Sequence, residues 1–165
     1  FQGYGVEPDI MCLAKAMGGG MPMGAFVSSS EIFESFKHDP PLNHVTTFGG
    51  HPVSCAAAYA TLSELLSDDY GDKAIKIEHI VRKELTADGI KEVRGIGAML
   101  GMELENRELT QKVVEECMDK GIILGWTLHS DTLVRLAPPL IIEENHLTET
   151  LQDINRSVQK FSKEM

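Results

Sequence analysis

Cysteine is scarce in these 165 residues. Cys12, Cys55 and Cys117 stand far apart, with no C-x-x-C pair. An odd, scattered set argues against a disulfide framework and against a cysteine zinc site, and it suits a reducing compartment, so a cytoplasmic location is expected. No apolar run approaches the roughly 18 to 20 residues that span a bilayer. The opening Phe1-Gln2-Gly3-Tyr4-Gly5 has neither the basic stretch nor the apolar stretch of an export signal, so neither a membrane nor secretion is expected. Positive charge is also short: 15 Lys and Arg against 25 Asp and Glu leave a formal charge of −10, which argues against a nucleic-acid partner. An initiator methionine is lacking too, and the chain opens in what reads as a loop feeding a strand, so a fragment is expected. Internal repeats and low-complexity tracts are absent.

What is present suits a globular chain. Hydrophobic residues make up 42%, and the 15 glycines bring the apolar share to about half, enough to bury a core. Residues 9 to 14 form a short apolar run that reads as a strand buried on both faces. Gly18-Gly19-Gly20-Met21-Pro22 requires a turn, and residues 24 to 28 read as a second strand. Residues 37 to 51 read as a polar loop. Pro52 then suits a helix first turn, and Val53 to Leu66 reads as a helix buried along most of its length. The break at Ser67-Asp68-Asp69-Tyr70-Gly71 predicts a domain boundary, with one domain over 1–66 and another over 67–165.

Past the break, Ala74, Ile77, Val81 and Leu85 recur at helical spacing, and Ile96 through Leu104 alternate as one strand. Leu109, Val113 and Cys117 mark a helix that Gly121 ends in a left-handed cap. Ile122 to Trp126 and Thr132 to Leu136 read as strands. Leu147, Leu151, Ile154, Val158 and Phe161, spaced 4, 3, 4 and 3, form the core-facing stripe of a last helix.

Several residues could carry chemistry. Lys15 ends an apolar strand just before three glycines, and a desolvated amine there would attack a carbonyl; a structural lysine whose stem snorkels is the other reading. The P-loop order fails, because the lysine precedes the glycines, and Gly95-Ile96-Gly97 fails as a dinucleotide fingerprint and reads as close strand packing. Thr46-Thr47-Phe48-Gly49-Gly50-His51-Pro52 puts hydroxyls and permissive backbone ahead of a helix, which suits a phosphate or, equally, simple capping. Arg135 interrupts an apolar strand and requires a partner, either a substrate carboxylate or an internal acid. His38, His44 and His51 lack ligand spacing, so no metal is expected. Asp68-Asp69 and Glu115-Glu116 read as solvated charges.

In order, Gly5-Val6-Glu7-Pro8-Asp9-Ile10, Leu13-Ala14-Lys15-Ala16-Met17-Gly18-Gly19-Gly20-Met21-Pro22-Met23-Gly24-Ala25, Thr46 to Pro52, Val93-Arg94-Gly95-Ile96-Gly97 and Leu133-Val134-Arg135-Leu136-Ala137-Pro138-Pro139-Leu140 resemble the class III aminotransferases. These are pyridoxal-phosphate enzymes of fold type I that include acetylornithine, ornithine and 4-aminobutyrate aminotransferases. The resemblance implies an α/β fold, with part of the large cofactor-binding domain followed by a small α+β carboxyl-terminal domain. It implies that Lys15 forms the Schiff base with pyridoxal 5'-phosphate and shuttles a proton, that Thr47 contacts the cofactor phosphate of the neighbouring subunit in a homodimer, and that Arg135 grips a substrate carboxylate. The implied reaction is transamination between an ornithine-type or ω-amino donor and 2-oxoglutarate. His51 stands where many relatives carry Asn. Relatives hold the pyridine nitrogen, most of the phosphate and the ring face with groups upstream of the first residue here, so these 165 residues alone are expected to be inactive. Aminomutases, racemases and decarboxylases share the lysine motif and form one alternative; a non-catalytic association module forms another.

Overall fold

The computed structural model describes residues 1–41, 43–126 and 129–163; residue 42, within the loop expected over 37 to 51, lies outside them. The chain divides into two compact units, Phe1–Asp68 and Asp69–Met165.

In the first unit, strand β1 (Ile10–Leu13) pairs antiparallel with β2 (Ala25–Ser28) in the register Ile10↔Ser28 to Leu13↔Ala25. The connection carries the glycines. A Cβ at Gly19 would run into the Thr61 hydroxyl, and the backbone there is left-handed, so only glycine fits against helix α2 (Pro52–Ser67). A single short turn of helix, α1 (Ser30–Phe33), follows β2; the Ser29 side chain caps it, accepting from the Ile32 amide at 3.3 Å. Two expectations fail here. β1 is not buried on both faces, since Ile10 and Cys12 are exposed. Of the α2 residues only Ser54 and Ala58 are buried, while Leu62, Leu65 and Leu66 stand in solvent. Apolar composition marks faces that seek cover, and no described residue covers these.

The second unit is a four-stranded antiparallel sheet in the order β3 (Ile90–Ile96), β4 (Met99–Leu104), β6 (Leu133–Leu136), β5 (Gly125–Trp126). Helices α3 (Tyr70–Glu84), α4 (Arg107–Asp119) and α5 (Glu144–Ser162) pack with it around one core. Met102, Leu104, Val134, Leu109, Val113 and Val158 are fully buried. The stripe expected on the last helix is real, with Leu147, Leu151, Ile154 and Val158 all inside. The strand expected over Ile96 to Leu104 is instead a hairpin whose turn is Gly97-Ala98. Its alternating pattern runs on across the turn, and Gly97 takes φ 60°, which a regular strand does not. The strand expected over Ile122 to Trp126 shrinks to Gly125 and Trp126.

Side chains lock these elements together. Asn106 caps α4, accepting from Leu109 N at 2.9 Å. Asn155 of α5 accepts from the Thr86 and Ala87 amides and donates to the Glu84 carbonyl, closing the end of α3. Glu78 accepts from Gly97 N at 2.6 Å while Arg82 donates to the Gly95 and Val93 carbonyls, which clips the hairpin to α3. Glu116 is no free surface charge: it is half-buried and takes Lys160 at 2.6 Å and Lys120 at 3.0 Å, tying α4 to α5.

Candidate functional site

Lys15 follows β1 after one residue and opens a short 3-10 turn, Lys15–Gly18. Its φ is 57°, and among the described residues only one other non-glycine residue, Asp39, takes a positive value. An L side chain in the left-handed region costs of order 1 kcal/mol, and such strain collects at functional positions. The expected burial is absent: Lys15 is exposed. Among the described residues no carboxylate or hydrogen-bond acceptor holds its amine. The position therefore carries a strained backbone and an unengaged amine.

A recess of about 320 Å³ lies at the start of α2, lined by Pro22, Gly24, Thr46, Gly49, His51 and Ser54 among others. The 16-residue helix begins with Pro52 at its first turn, and His51 supplies no side-chain cap. Capping thus does not account for the Thr and His of this stretch. The first helical bond runs from Cys55 N to the His51 carbonyl at 2.9 Å, so the amides of Val53 and Ser54 precede it, at the positive end of the helix dipole. Gly49 packs so close to Thr46 that a Cβ would sit 2.5 Å from its Oγ1. Thr46, not Thr47, lines the recess; Thr47 is exposed on the adjoining turn.

Arg135 lies on β6, at a position exposed between the buried Val134 and Leu136. Its strand neighbours are Gly101 on β4 and Gly125 on β5. No described acid pairs with it. Glu103, two positions along β4 from Gly101, already accepts from Arg94 at 2.9 Å and from the Thr132 hydroxyl. Arg135 is also among the residues that line a cleft of about 410 Å³, with Ile122, Leu124, Pro138, His146 and the acids Glu149 and Asp153. An unpaired, exposed arginine beside a cleft is suited to bidentate capture of a carboxylate.

Lys15 and Thr47 belong to the first unit and Arg135 to the second; no hydrogen bond joins Lys15 to Thr47. Sequence reasoning missed Gly125, whose only signal was a glycine ten residues before an arginine. Among the described residues, no group of three or more His, Cys, Asp or Glu could hold a metal ion, and no helix is long and apolar enough to cross a membrane.

The family described as Aminotransferase class-III matches residues 1–158. The acetylornithine aminotransferase of Methanocaldococcus jannaschii is 40% identical over 171 residues, covering 99% of this chain and 40% of that protein. The putrescine aminotransferase of Pectobacterium atrosepticum is 37% identical, covering 96% of this chain and 35% of that protein. The acetylornithine aminotransferase structure from Elizabethkingia anophelis superposes with a TM-score of 0.85 at 29% identity, over 97% of this chain and 41% of that one. The chain therefore spans about two fifths of the length of the relatives it matches.

Proposed function

The chain belongs to the class III aminotransferase family, whose members depend on pyridoxal phosphate, and on that premise we propose that it contributes the lysine and the carboxylate-binding arginine of a transaminating enzyme. The observation that carries this reading is Lys15: an unengaged amine on left-handed backbone, between β1 and a glycine turn, inside the matched segment. The donor set fits the cofactor. Lys15 supplies an amine for its aldehyde, and the uncapped start of α2, with Thr46 and Thr47 beside it, supplies N–H and O–H donors for a phosphate. When bound, pyridoxal phosphate supplies an electron sink for the bonds at an amino-bearing carbon.

The chain's own residues have distinct tasks. Lys15 would hold the cofactor through Nζ and, when free, would accept and return a proton at that same nitrogen. Thr47 donates its hydroxyl to the phosphate, in a homodimer to that of the neighbouring subunit. Arg135 orients the substrate by its carboxylate, and orientation fixes which bond faces the base. The proposed donor is an ornithine-type or ω-amino compound, which the acetylornithine and putrescine aminotransferases among the relatives support, and the proposed acceptor is 2-oxoglutarate. The two exposed or half-buried cysteines, Cys12 and Cys55, fit the reducing cytoplasm. These 165 residues hold no acid placed by the family pattern against the pyridine nitrogen, so turnover by them alone is expected to be negligible.

The test is intact mass after incubation with pyridoxal phosphate and borohydride, with Lys15→Ala beside it. A single adduct lost in the variant is expected. An adduct that persists in Lys15→Ala would remove the lysine from its role.

A further inference from the structure

Across the outer face of the second unit's sheet, Arg94, Gly101, Arg135 and Gly125 stand in one row, each directly opposite the next on β3, β4, β6 and β5. Both cross-strand neighbours of Arg135 thus lack a side chain. Directly opposed Cβ atoms in an antiparallel pair lie only about 4.5 to 5.5 Å apart, so a side chain at either position would compete with the arginine for space.

The two vacancies are filled differently. A Cβ at Gly101 would lie 2.8 Å from Leu133 Cδ1, whereas a Cβ at Gly125 would lie 2.9 Å from Arg135 Nε and 3.1 Å from its Nη2. Leu133 therefore takes the space over Gly101, and Arg135 lies over Gly125, toward the strand that forms the sheet edge. Gly125 is not explained by backbone conformation, because its φ is not positive. What the missing Cβ provides is room for Nε and Nη2.

We propose that Gly125 is a positioning residue: it seats the Arg135 guanidinium at the β5 edge so that its fork meets a substrate carboxylate, while Leu133 over Gly101 blocks the opposite lean. This rests on the reading of Arg135 as the carboxylate holder. A bidentate contact depends on the plane of the fork as well as on its charge, so a displaced guanidinium loses affinity even with the charge intact.

The experiment measures glutarate, a non-reacting dicarboxylate, binding by calorimetry to the pyridoxal-phosphate-loaded transaminating enzyme to which these residues are proposed to contribute, together with KM and kcat of that whole enzyme for the oxo-acid substrate. Gly125→Val is expected to weaken glutarate binding and raise KM by roughly tenfold or more, and Gly125→Ala by less. The kcat at saturation and the melting temperature should stay close to those of the parent, a split that a general packing defect would not give. In an Arg135→Lys background, Gly125→Val should have no further effect on glutarate. A folded Gly125→Val that binds glutarate as the parent does, while Arg135→Lys has lost it, overturns the role of Gly125 alone. If Gly125→Val does not fold, unchanged binding in Gly125→Ala overturns that role equally. Unchanged binding in Arg135→Lys overturns the carboxylate reading and this inference with it.

Discussion

The two units treat similar composition in opposite ways. Of the eighteen hydrophobic residues buried among the described residues, seventeen lie in the second unit and only Ala58 in the first. Fifteen of the twenty-one exposed large apolar side chains lie in the first, including Phe26, Phe48, Tyr59, Leu62 and Leu66. The second unit's sheet covers one face with three helices, whereas the first unit's two strands and one long helix leave apolar faces in water. A two-stranded sheet is marginal alone, and chains that cannot bury enough apolar area do not offset the entropy of ordering. Stability therefore resides in one unit, while the strained lysine and the glycine-lined recess reside in the other.

The strongest way to break that comparison is to separate the units. Residues 69–165 alone should melt cooperatively and give a dispersed amide NMR spectrum, while residues 1–68 alone should give neither. A dispersed spectrum from residues 1–68 alone would show that the first unit needs no cover.

Single truncations sharpen the contrast. Met102→Ala, at a fully buried site in the sheet, should lower the urea-unfolding free energy by about 2–5 kcal/mol. Leu66→Ala, 86% exposed in α2, should change it by less than about 0.5 kcal/mol. Equal effects from the two would mean that the exposed face is covered after all.

The smallest effect concerns acid. Glu78 is held below its ordinary value, near 4.5, by the Gly97 amide and then by Arg82. Glu116 is lowered by Lys160 and then Lys120, and Glu108 by Lys112. Carboxylates depressed by folding stabilise it above their unfolded value and lose that contribution as pH falls through the folded one. Asp72 acts in the other direction, since the charge of Asp69 raises it and protonation relieves the repulsion. With three groups against one, the urea midpoint of the second unit should drift down as pH falls below about 4.5. A midpoint that rises over that window would contradict these pairings.

Much of this was legible in the residues. The 4, 3, 4, 3 stripe of α5 needs only its own spacing to find its face, and the Lys15, Thr46 to Pro52 and Arg135 segments point to amine, anion and carboxylate chemistry by residue type. What escaped depends on partners far along the chain. Periodicity cannot see a two-residue turn when apolar positions keep alternating through Gly97-Ala98. Asn155 closes a helix end some 70 residues away, and the space over Gly125 exists only once β5 and β6 are paired. The exposure of α2 escaped for the converse reason: apolar content reports a demand for cover, and cover is a property of neighbours.

The left-handed backbone at Lys15 has a practical consequence for screening. Glycine tolerates that conformation without the Cβ clash, so Lys15→Gly removes the amine proposed to hold the cofactor and relieves strain of order 1 kcal/mol in one step. A library ranked by melting temperature or by soluble yield would then favour a chain without that amine. On the proposed role of Lys15, directed evolution of this protein needs a chemical readout at residue 15 from the first round, because heat tolerance and cofactor capture pull in opposite directions there.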